Sequence, residues 1–183
     1  MDGDSRDTLW RRLQQQLEFG DLEFIEGLKT NSGNTQNSER LLITRIRERL
    51  NEMGLTFQEA GSQQSKDFRN VGGIGLDIEV KKTDSFSVYF NDTLPSPDIY
   101  YIIVFTGKRY QTKPDLPPKI IYCNGEQFIR DSPWIDQYQQ EIDRLKDTYA
   151  RGKAKKQLPG IMEVYPRPTY KANIEQFIRN DLN

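Results

Sequence analysis

The run Ile99-Tyr-Tyr-Ile-Ile-Val-Phe105 constrains this chain more than any other segment. All of its residues are apolar or aromatic, and four of the seven are β-branched, which favours a strand over a helix. Seven residues fall far short of the ~20 that a membrane span needs. An amphipathic element would show a polar face, and this run has none. It therefore predicts a strand buried on both sides, at the centre of a sheet with a covering layer on each face. At 183 residues the chain suits one domain. Its mean hydropathy of −0.80 is polar, yet nine Phe, nine Tyr and two Trp supply a core.

The flanking segments provide the covering layers. Leu9, Leu13 and Leu17 recur at helical spacing beside Trp10, predicting a helix over 8–17, and a short second helix is expected over 21–28. Residues 31–37 read as a polar loop. Ser38 and Glu39 open a long helix with Leu42, Ile46, Leu50 and Met53 as its apolar stripe and Gly54 at its end. From Leu55 the period changes to two. Strands are expected over 55–60, 76–81, 85–90, 99–105 and 119–122, and Gly72, Gly73 and Gly75 mark the turn before the second. Helices are expected over 134–150 and 172–179. This order predicts an α/β fold, a mixed sheet flanked by helices.

Composition excludes several chemistries. The chain has no histidine, which removes Ser-His-Asp triads, Cys-His nucleophiles and His-metal nucleases. Its single cysteine, Cys123, cannot form an internal disulfide or a structural zinc site, and its apolar surroundings predict a core residue. Without a membrane-length apolar run or a signal-peptide core, a soluble, cytoplasmic protein is expected. The net charge of −1 conceals an asymmetry. Residues 1–60 hold eleven acids and eight bases, whereas 144–171 hold eight bases and two acids. The second stretch suits phosphate contacts or a solvated helix face equally well.

One constellation carries chemistry. On the expected strand over 76–81, Leu76, Ile78 and Val80 face one side, and Asp77, Glu79 and Lys81 face the other. Same-face neighbours lie ~7 Å apart, close enough for a carboxylate and an ammonium to reach one bound ion and its attacking water. Asp67 precedes Glu79 with eleven residues between them, across a glycine-rich turn. Mg²⁺ prefers such oxygen ligands, one or two carboxylates completed by water and substrate phosphates. The alternative is the polar face of an ordinary half-exposed strand.

Asp67, eleven residues, then Glu79-Val80-Lys81 resembles the PD-(D/E)xK motif of restriction endonucleases and related metal-dependent nucleases. The plan around it also resembles that family: a helix, a hairpin bearing the motif, a hydrophobic strand, a helix and a further strand. The likeness covers residues 38–125, a catalytic core between a helical extension over 1–37 and a helical, basic part over 126–183. Ser65-Lys66-Asp67 lacks the proline that names the motif, and Pro97-Asp98 follows the Glu-x-Lys in the wrong order. The resemblance implies a restriction-endonuclease-like core and Mg²⁺-dependent hydrolysis of double-stranded DNA, as in small type II restriction enzymes. Asp67 and Glu79 would hold the ion with the Val80 carbonyl, and Lys81 would orient the attacking water and stabilise charge on the phosphorane-like transition state. Asp77 rivals Asp67 as first carboxylate. Glu39 and Glu59 are the candidates for an accessory metal-linked acid.

DNA contacts are expected from Gln63, Gln64, Ser65, Lys66 and Arg69 beside the motif. Further candidates are Lys82, directed away from Lys81 toward phosphate or solvent, Lys108 and Arg109 after the central strand, and Lys153, Lys155 and Lys156 in the basic segment. Asn91 and Asp92 read as turn formers, and Tyr165 and Tyr170 as local packing. Cutting both strands of a palindrome implies a homodimer, to which Leu9, Leu13 and Leu17 are candidate contributors unless core packing claims them. A cognate methyltransferase acting on the same site is the implied partner. Junction resolvases and repair nucleases share the motif, and a non-catalytic DNA-binding protein is the reading outside catalysis.

Overall fold

The structure is a computed structural model that describes residues 5–17, 20–29, 35–59, 66–91, 94–112, 114–129, 133–154 and 169–179. Three helices lead: α1 (Arg6–Gln16), α2 (Leu22–Gly27) and α3 (Thr35–Glu52). Ser5 caps α1 by accepting the Thr8 N–H, and Asp21 caps α2 by accepting the Phe24 N–H. Strands β1 (Gln58–Glu59), β2 (Phe68–Val71), β3 (Leu76–Thr83), β5 (Ile99–Phe105) and β6 (Lys119–Asn124) form one mixed sheet in the order β1-β2-β3-β5-β6. Only the β3–β5 pair is parallel. A separate antiparallel ribbon joins β4 (Ser87–Asn91) to β7 (Thr169–Asn173). Helices α4 (Pro133–Ala154) and α5 (Glu175–Arg179) complete the described elements.

The central strand behaves as its composition dictates. All seven residues of β5 are buried, and their alternation feeds two cores. Tyr100, Ile102 and Val104 pack with Leu9, Trp10, Leu13, Leu42, Ile46 and Leu50 of α1 and α3. Ile99, Tyr101, Ile103 and Phe105 pack with Val88, Phe90, Ala172 and Ile178 of the ribbon and α5. Each fully buried aliphatic or aromatic side chain contributes about 1.5–3 kcal/mol. Cys123 joins the second core, where burial pushes its thiol up to about 12 and leaves it unreactive.

Several expectations shift. Strand 55–60 contracts to β1 because the Leu55 N–H donates to Leu50 O at 3.0 Å, closing the helix end instead of joining a ladder. Helix α3 begins at Thr35, inside the expected loop and before Ser38. Residues 169–173, partly read as helix, form β7 because Ala172 pairs with Val88, and the helix is confined to Glu175–Arg179. No helix separates β5 from β6 among the described residues. The proline-bearing link there is a loop closed by a Lys108–Leu116 bridge. Leu9, Leu13 and Leu17 are 0–4% exposed within the chain's own core, so they are not available as a dimer surface. No helix among the described residues is long and apolar enough to cross a membrane.

Candidate functional site

The β2–β3 hairpin is built to end unevenly. Phe68 pairs with Ile78 and Val71 with Leu76, a one-residue register shift that marks a bulge. Asn70 at φ 50° and Gly72 at φ 70° turn the chain through left-handed backbone. A Cβ at Gly72 would also lie 2.7 Å from a Leu9 methyl of α1. β2 starts at Phe68 whereas β3 runs on to Thr83, so the ladder on the β2 side stops in the middle of β3.

Asp67 sits at that stop. Its N–H donates to Ile78 O at 3.1 Å, and its Oδ2 accepts the Val80 N–H at 2.7 Å. The carboxylate thus replaces the next rung of the ladder. A strand residue's N–H and C=O leave on the same side, so the Val80 carbonyl points to this open edge as well. Glu79 is 7% exposed and ion-paired with Lys81, whose Nζ also lies 5.4 Å from the Phe90 ring centre. Burial raises the Asp67 carboxyl above its ordinary value, opposed by the Val80 N–H and the Lys81 charge. Burial raises Glu79 likewise, opposed by Lys81 and reinforced by the Asp67 charge. Two carboxylates therefore share one ammonium at an open sheet edge.

Asp77 is placed differently. It pairs with Lys66 and accepts the Asn70 N–H at 2.9 Å. Burial pushes its carboxyl up, but the Lys66 and Asn70 hydrogen bonds and the Lys66 and Arg69 charges outweigh that and hold it low. Its hydrogen-bonding capacity is taken up by the hairpin, which leaves Asp67 as the carboxylate partnered electrostatically with Glu79. Lys66 is correspondingly an ion-pair partner of Asp77 rather than an exposed phosphate contact, and Arg69 is a half-buried β2 residue opposite Gln58.

A groove of about 680 Å³ opens beside Asp67, lined by Glu39, Arg40, Thr44 and Arg47 of α3 and by Val80 and Lys82 of β3. Glu39 contributes its charge to the Asp67 environment, so the structure brings this accessory candidate to the site. Glu59 is instead gripped by Arg47, with Nε 2.5 Å from Oε1 and Nη2 2.9 Å from Oε2. That fork leaves Glu59 committed to the rim. Lys82 does leave the strand opposite Lys81, but its side chain is only 4% exposed and its Nζ lies 3.2 Å from Asp84, which also accepts the Thr106 hydroxyl at 2.7 Å. It lines the groove with little of its side chain exposed, its ammonium held by Asp84.

The remaining candidates scatter. Lys108 lies 4.7 Å from the Phe86 ring centre, beyond the far end of β5, and Arg109 is 79% exposed at 3.9 Å from Glu26. Lys153 lies in α4. Gln63, Gln64, Ser65, Lys155, Lys156, Asp92 and Tyr165 lie outside the described residues. Sequence reasoning missed Phe90 and the groove residues Arg40, Thr44 and Arg47. The latter were signalled by their i, i+4, i+7 spacing on α3.

The donor set at the edge is hard oxygen: Asp67, Glu79 and the Val80 carbonyl, which suits Mg²⁺. Among the described residues, no group of three or more His, Cys, Asp or Glu side chains gathers to hold a metal by itself. Water and substrate phosphate would therefore have to supply the other ligands. The comparisons add nothing to these residues: no family model, no curated protein and no solved structure matches the chain.

Proposed function

We propose that this chain is a Mg²⁺-dependent endonuclease of the PD-(D/E)xK kind that hydrolyses phosphodiester bonds of double-stranded DNA, acting as a type II restriction enzyme. The observation that carries the reading is Asp67 standing in for the missing ladder rung beside Glu79 and Lys81. The strand order β1-β2-β3-β5-β6 supports a restriction-endonuclease-like core, because it puts the motif hairpin next to the buried central strand. Asp67 and Glu79, with the Val80 carbonyl, hold the ion. Mg²⁺ bound there supplies charge neutralisation at the scissile phosphate and lowers the pKa of water. With an ion held there, Lys81, now paired with Glu79, would be placed to orient the attacking water and stabilise the developing phosphorane charge. Glu39, across the groove, would be the accessory acid.

In a non-catalytic DNA-binding protein Asp67, Glu79 and Lys81 would serve the fold alone, and alanine at Asp67 or Glu79 would leave DNA binding unchanged or modestly stronger. The test is incubation of the purified protein with unmethylated duplex DNA, with Mg²⁺ or with EDTA. Discrete fragments only with Mg²⁺ are expected. Two copies acting on a palindrome, a cognate methyltransferase and a cytoplasmic setting belong to the same reading. Intact DNA in both lanes across several duplex and branched substrates would refute it.

A further inference from the structure

We propose that the outward face of the β4–β7 ribbon reads base edges in the major groove of duplex DNA. The inference rests on DNA being the ligand, as proposed above, but not on its being cut. The register sets Ser87 opposite Asn173, Tyr89 opposite Lys171 and Asn91 opposite Thr169. These six side chains form the outward face, while Val88, Phe90 and Ala172 point into the second core. None of the six is acidic. The face has one cation, three hydroxyls and two amides, a set matched to phosphate-bearing DNA and its base edges. Asn pairs bidentately with adenine and Lys with guanine. Asn91 and Asn173 would pair through the second lone pair of Oδ1, which already accepts the Thr169 hydroxyl in Asn91 and, at 2.9 Å, the Glu175 N–H in Asn173.

The dimensions agree with that partner. A two-stranded ribbon enters the ~12 Å major groove. Outward side chains along one strand are ~6.6 Å apart, about two base-pair steps, so five paired residues face about four base pairs. The face is also organised rather than loose: Thr169 donates to Asn91 Oδ1 at 3.2 Å, and the Lys171 Nζ lies 5.6 Å from the Tyr89 ring centre. Beneath it, Phe90 packs 5.3 Å from Tyr101 and lies 5.4 Å from the Lys81 Nζ. The reader and the candidate catalytic ammonium therefore share one aromatic side chain.

The experiment selects from a randomised duplex pool with the full chain, in EDTA and in parallel with Ca²⁺, and sequences the bound fraction. An enriched motif is expected from the unaltered protein, and guanine N7 methylation within it should block binding. Asn91→Ala combined with Asn173→Ala, checked for fold by circular dichroism, should relax preference at one or two positions at least tenfold. A motif unchanged by these substitutions would overturn the proposal, as would interference confined to the minor groove. Loss of self-association on Tyr89→Ala with an unchanged motif would make the ribbon a contact between copies and also overturn it. No motif at all, with Mg²⁺-dependent smearing of DNA, would overturn the ribbon and leave the nuclease standing. A motif that relaxes in the variants, from a protein that never cleaves, would keep the ribbon and remove the nuclease.

Discussion

The two halves of β3 put carboxylates into opposite situations. In the first half the strand is bonded to β2 on one side and β5 on the other, and Asp77 finds Lys66 and the Asn70 N–H at hand. Its carboxyl is held low. In the second half β2 has ended, and Asp67 and Glu79 are buried around Lys81 alone. Both carboxyls are pushed up. A closed ladder supplies amides and a counter-cation to its acid, whereas an open one gathers two acids short of one positive charge. That deficit is what a divalent cation would fill, and it separates the acid tied into the hairpin from the two candidate metal ligands.

The sharpest way to break this contrast is kinetic. Alanine at Asp67 or Glu79 should lower Mg²⁺-dependent cleavage on the order of 10²–10³-fold, and Asp77→Ala should stay within about tenfold. Equal losses in single-turnover gel assays would erase the distinction. Packing gives the next effect. Ile78→Ala, in the closed half, should cost about 2–5 kcal/mol in urea unfolding. Val80→Ala, half-buried at the open edge, should cost about 1–2 kcal/mol.

Titration then separates the halves by sign. Asp67 binds its proton more tightly folded than unfolded, so its contribution to stability is complete below the ordinary carboxylate value and is lost as pH rises through the raised one. Asp67→Asn should therefore stabilise the protein at alkaline pH, with the difference vanishing below the ordinary carboxylate value. Asp77 has the opposite linkage: its contribution is present above the ordinary value and is lost as pH falls through the lowered one. Asp77→Asn should cost about 0.5–1.5 kcal/mol at neutral pH, and the gap should close in acid. Thermal melts across that range would test both, and slopes of the same sign would defeat the comparison. The smallest effect is expected far from either half, where Arg109→Ala should change stability by no more than about 0.5 kcal/mol.

Much of this was legible in the sequence because it depends on local periodicity. The period-two pattern over 76–81 placed Glu79 and Lys81 on one face and Lys82 on the other, and the apolar run placed β5 at the centre. What could not be read locally was what covers each face. Glu79 is buried beneath a ribbon whose strands lie about eighty residues apart in sequence, and β7 has no strong strand pattern of its own until Val88 and Phe90 pair with it. The burial of Lys82 depends on Asp84 and Thr106, drawn together only when β3 and β5 align in parallel. Spacing and face left Asp67 and Asp77 as rivals for the first carboxylate, and the different surroundings of the two depend on the bulge and the early end of β2.

The packing of Trp10 bears on how the chain is made. Its ring meets Tyr100 at 4.9 Å and Tyr122 at 5.6 Å, and Tyr122 donates to Leu17 O. At ~5–20 residues per second, these partners leave the ribosome some seconds to tens of seconds after the tryptophan does. During that interval the α1 segment, too short at 11 residues to hold as an isolated helix, carries Leu9, Trp10 and Leu13 without their partners, a target for chaperones and for neighbouring nascent chains. The motif hairpin, whose turn rests on Leu9 of that same helix, inherits the delay.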